Sequence, residues 1–134
     1  MNKGIGQYRQ IGVETALENA SPHRLIQLLF EGALTQLANV KGAIVNRDTV
    51  RLQTSVQKTS TILMGLEEGL DFEKGGEIAD NLEALYQYMQ TELLAVQVSM
   101  NEEKVDALIS LLSDIKSGWD AISPEQLAAS QEES

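Results

Sequence analysis

The sequence predicts an all-α protein, an antiparallel up-down-up-down four-helix bundle preceded by a short, weakly helical N-terminal segment. Three observations carry that prediction. Apolar residues recur at steps of three and four, the spacing that keeps one stripe of a helix facing a common core. Strict alternation of the strand kind is nowhere sustained. The periodic stretches are joined by connections of a few residues, which place consecutive helices side by side and antiparallel. At 134 residues the chain is one domain's worth of polypeptide. The expected division is a mobile segment over 1–20, the bundle over 21–123 and a flexible acidic tail over 124–134.

Ser21 followed by Pro22 supplies an N-cap and a first helical residue with its φ already set. Helix one then runs to about Val45, with Ile26, Leu29, Phe30, Ala33, Leu37, Val40 and Ile44 on one face. Asp48 is the expected cap of helix two, whose stripe is Leu52, Val56, Thr59, Leu63, Leu66 and Leu70. The stretch Leu70 to Gly76 is read as the turn into helix three, because its paired glycines suit backbone conformations other residues avoid. Helix three presents Ile78, Leu82, Leu85, Met89, Leu93, Val96 and Met100. Helix four begins at an Asn101 cap, with Glu102 and Glu103 at the positive end of its dipole. Its stripe is Val105, Leu108, Leu112, Ile115, Trp119 and Ile122, and Ser123-Pro124 marks its end. The segment before Ser21 has a weaker apolar set, Ile5, Tyr8, Ile11, Val13 and Leu17, broken by Gly4, Gly6 and Gly12, and supports at most a marginal helix.

Composition excludes several classes of function. The chain has no cysteine and one histidine, which removes thiolate chemistry, disulfides and His-rich zinc sites. A net charge of -10 repels phosphate backbones and argues against nucleic acid as a partner. The charge is uneven: residues 1–66 hold seven basic and four acidic residues, and 67–134 hold three and sixteen. No apolar run is long enough to span a membrane, and the N-terminus lacks the apolar stretch of a secretory signal, so the chain is expected in the cytoplasm.

No catalytic constellation emerges, and neither a cofactor nor an enzyme activity is expected. Glu-x-x-His pairs, which would hold two irons inside a bundle, do not occur. Glu67, Glu68, Asp71 and Glu73 cluster at a helix end, where a solvated acidic surface is the ordinary reading. Gly75-Gly76 lacks the lysine and hydroxyl of a phosphate-binding loop. The alternative function is a signalling or adaptor bundle of the histidine phosphotransfer type. His23 would then have to accept a phosphoryl group, yet it lies beside Pro22 at a helix mouth rather than exposed in mid-helix.

The run Ala20-Ser21-Pro22-His23-Arg24-Leu25-Ile26-Gln27-Leu28-Leu29-Phe30-Glu31-Gly32-Ala33 resembles the opening signature of the flagellin export chaperone family, FliS. A second block, Gly69-Leu70-Asp71-Phe72-Glu73-Lys74-Gly75-Gly76-Glu77-Ile78-Ala79-Asp80-Asn81-Leu82, running on through Tyr86 and Tyr88, is similar to that family's middle motif. Glu92 stands where the family commonly has arginine. The resemblance implies an antiparallel helical bundle that binds the disordered C-terminal segment of newly made flagellin in the cytoplasm, and stops it polymerising before export. Other flagellar export or regulatory proteins are further partners it allows, and the chain itself is expected to be a monomer or weak homodimer.

Candidate client-binding residues follow partly from the resemblance and partly from helix geometry. By resemblance, Ile5 and Tyr8 lie over an apolar groove and yield to the client; a cap that merely completes the core is the other reading. Leu28, Leu34, Ile62 and Met64 lie off the principal stripes, where they widen the apolar face or line the client's path. Tyr86, Tyr88 and Met89 cannot all face one core. Met89 fits the core register, leaving Tyr86 and Tyr88 as groove candidates. Trp119 is expected to pack the end of the bundle.

Overall fold

The computed structural model describes residues 21–122. Four helices follow in order, α1 (Pro22–Val45), α2 (Thr49–Glu68), α3 (Phe72–Ser99) and α4 (Glu102–Asp120). Each packs against two others in a closed circuit, α1 on α2 and α4, and α3 on α2 and α4. The short links make this the antiparallel bundle expected from the sequence. Its core is built from the predicted stripes: Phe30, Ala33, Leu37 and Val40 meet Leu52, Val56, Leu63 and Leu66 on α2, Met89, Leu93 and Val96 on α3, and Val105, Leu108 and Leu112 on α4. Among the described residues no helix is long and apolar enough to cross a membrane.

The helix starts are set by side chains that accept otherwise unpaired amides. Ser21 accepts from Arg24 N at 3.1 Å and Asp48 from Arg51 N at 3.0 Å. Asn101 accepts from Glu103 N at 2.9 Å and Lys104 N at 3.3 Å. Before α4, Met100 adopts a left-handed conformation, φ 54°, with its amide on Val96 O at 2.8 Å. Packing of its side chain on the core offsets a backbone strain usually left to glycine.

The link into α3 differs from the expected turn at Gly75-Gly76. Gly69 to Asp71 make the connection, and Asp71 caps a helical turn that starts at Phe72. The glycine pair instead breaks the helix after that turn. Gly76 takes φ 50°, ψ −123°, and a Cβ on Gly75 would sit 2.9 Å from that of Ala79. Past the break, Ala79, Tyr86, Met89, Leu93 and Val96 point inward, with Leu82 half-buried. Ile78, predicted in the core, is 70% exposed; Leu85, also predicted there, is half-buried.

Polar contacts set the relative heights of the helices. Ser60 on α2 and Gln90 on α3 bond twice, side chain to side chain at 2.6 Å and Gln90 Nε2 to Ser60 O at 2.9 Å. Thr59, fully buried in the α2 seam, donates its hydroxyl to Ser55 O at 2.8 Å and so carries no unsatisfied group into the core. Lys41 joins α1 to Asp106 of α4. Lys104 of α4 meets Glu92 of α3 at 3.3 Å, and the Tyr88 hydroxyl donates to the same carboxylate at 3.4 Å. The acidic residue at position 92 is thus matched inside this chain by a cation one helix away.

Candidate functional site

The described helices leave a groove of about 380 Å³ at the end of the bundle where α1 and α3 begin and α2 and α4 finish. Its walls are almost wholly apolar. Ile26 and Phe30 come from α1, Leu66 from the last turn of α2, and Leu70 from the link that follows. The opposite wall is Ile78, Leu82 and Tyr86 of α3, with Ile115 and Trp119 of α4. Two lining positions, Gly69 and Gly118, bring no side chain, and a Cβ on Gly118 would meet no described atom within 4 Å. Leu82, Ile115 and Trp119, predicted to close the core here, are only partly buried. Volumes of this order suit a few apolar side chains of a ligand.

A clasp between the start of α1 and the end of α4 fixes the rim. The Trp119 indole N–H donates to His23 O at 3.0 Å, and His23 Nε2 lies 3.0 Å from Trp119 O. A carbonyl only accepts, so Nε2 carries the proton. The two rings stack with centroids 5.0 Å apart and planes 16° from parallel. One turn on, Gln27 donates to Asp120 at 2.8 Å. Lys116, hydrogen-bonded to Asp120, holds that carboxyl below the usual range, with Gln27 helping. His23 is 6% exposed. Held in the clasp through both its ring face and its Nε2, it is not the exposed mid-helix imidazole that a phosphoryl acceptor requires.

The sequence-derived candidates scatter. Ile5 and Tyr8 fall outside the described residues. Leu28 and Ile62 are buried members of the core cluster, where they widen the apolar face and do not line the groove. Leu34 is half-buried against the core. Met64 and Tyr88 are exposed on α2 and α3 but do not line the groove. Tyr86, a groove candidate from the sequence, lines the groove, and at 3% exposure its ring is also part of the core. Tyr86 apart, the apolar side chains that make the groove were those read as plain core. The signal that distinguished them was Gly69 and Gly118, vacancies at the end of two apolar stripes.

Burial pushes the Tyr86 phenol up from 10.0 to about 12. Up to about pH 10 both folded and unfolded chains hold this proton; between about pH 10 and 12 the unfolded chain releases it while the folded chain keeps it, so stability falls as pH rises. The expected loss is about 2–3 kcal/mol across that window. Urea unfolding at pH 9 and pH 11.5 checks this, the fall being shallower in Tyr86→Phe. Equal slopes in the two proteins would refute it.

Comparison with known proteins points one way. The sequence matches the family described as Flagellar protein FliS over residues 4–126. It is 41% identical over 121 residues to the flagellar secretion chaperone FliSB of Pseudomonas aeruginosa, spanning 90% of this chain and 96% of the relative. The flagellar secretion chaperone FliS of Salmonella typhimurium is also 41% identical, over 91% of both chains, and that of Vibrio cholerae 31% identical over 93% and 92%.

Proposed function

The chain belongs to the flagellar protein FliS family, and on that premise we propose that it is a cytoplasmic, non-enzymatic export chaperone for flagellin. It binds the disordered C-terminal region of the newly made subunit, prevents premature polymerisation and keeps the subunit competent for flagellar type III secretion. The observation that carries this reading is the apolar groove at the end of the bundle, open across all four helices. An amphipathic segment that would otherwise self-associate is covered when its apolar face enters such a groove. Exposed Met64, Tyr88, Leu94 and Val98 add apolar surface on α2 and α3 along which a longer segment continues. Ordering the client costs a few kcal/mol, so the complex is specific yet releasable without nucleotide.

In this proposal residues 1–20 form a mobile leader that covers the groove through Ile5 and Tyr8 until the client displaces it, and 124–134 remain a flexible tail. The free chaperone is a monomer or weak homodimer. Calorimetric titration with a C-terminal flagellin peptide, alongside a filament-growth assay, tests the function: a one-to-one complex and suppressed growth are expected. Absence of both would refute the proposal.

A further inference from the structure

We infer that the client segment seated in the end groove carries a lysine or arginine beside its apolar anchor, and that Asp114 receives that cation. This rests on the function proposed above and names the chemistry of the segment that the groove selects.

Asp114 is the one charged residue among the side chains lining an otherwise apolar groove. It is exposed, and no hydrogen bond or ion pair joins it to another described residue. Among the described residues Lys116 is engaged by Asp120 and Arg24 by Glu31. The lip formed by the end of α2 and the start of α3 adds Glu67, Glu68, Glu73, Glu77 and Asp80 besides the capping Asp71, with Lys74 the single basic residue between Leu66 and Asp80. A low-dielectric wall bordered mainly by one sign of charge concentrates the field at the mouth, which draws an incoming cation. A second copy of this chain, at net charge -10, is opposed by the same field. A neutral apolar segment gains nothing from it.

The probe is a synthetic peptide of the C-terminal segment of the flagellin encoded in the same genome, with a matched peptide in which every Lys and Arg is Gln. Each is titrated against the full chain and against Asp114→Asn, at 50 and 300 mM NaCl. Asp114 makes no described contact, so the variant is expected to fold as the wild type does, which its melting curve checks. The native peptide should bind Asp114→Asn about fivefold more weakly than wild type, with a shallower salt dependence. The neutralised peptide should bind both proteins equally. Equal affinity of the native peptide for both proteins overturns the inference while leaving the chaperone function standing. Tighter binding to Asp114→Asn also overturns it, because the carboxylate would then oppose the client rather than hold it. A concentration-dependent dimer that excludes peptide overturns it in favour of a second copy. No binding of either peptide to wild type overturns both this inference and the function on which it rests.

Discussion

Gly118→Leu is expected to lower affinity for a flagellin C-terminal peptide by about tenfold or more while leaving the bundle as stable as before, or up to about 1 kcal/mol more so. The two effects have separate causes. Glycine in a helix costs conformational entropy, so a leucine in α4 gains helix propensity. The added side chain meets no described atom at its Cβ and lies on the groove wall, so it occupies volume a client would need. Most substitutions that abolish binding also damage the fold, and this one separates the two. Calorimetry with the peptide and a thermal melt read both quantities on one sample. Unchanged affinity with an intact fold would show that the client does not enter this groove.

Leu112→Ala is expected to cost about 3–5 kcal/mol, much of the ~5–15 kcal/mol that holds a domain of this size together. Leu112 is 0% exposed and lies in the centre of the α4 stripe between Leu108 and Ile115. Its neighbours come from packed helices that relax only partly, so removal leaves a cavity as well as lost apolar burial. Leu94→Ala is the matched control, since Leu94 is 67% exposed on α3 and its truncation should shift stability by no more than about 0.5 kcal/mol. Denaturant unfolding distinguishes them. A Leu112→Ala cost as small as that of Leu94→Ala would mean the helices do not pack as described.

Helix existence, caps and most inward faces were legible in the residues. Ser21, Asp48 and Asn101 cap the helices they were expected to cap. The stripes of α1, α2 and α4 turn inward as periodicity demands. Helix three misled for a physical reason. Counting back from Val96 in alternating steps of three and four gives Leu93, Met89, Tyr86, Leu82 and Ala79, the heptad that the structure uses. Ile78 and Leu85 are more hydrophobic than Ala79 and Tyr86, and drew the reading one position aside. The fold accepts the smaller and the more polar residue because what decides burial is the facing helix, not side-chain hydropathy alone.

By itself the sequence determined the bundle, its order and its family, because caps and apolar periods are local and survive without knowledge of the partners. Tertiary packing alone decided that a groove remains at one end of the stripes, that His23 and Trp119 clasp its rim, and that Asp114 stands at its mouth with no partner among the described residues. These depend on how far side chains from four separate helices reach toward a shared point, a distance no single helix encodes.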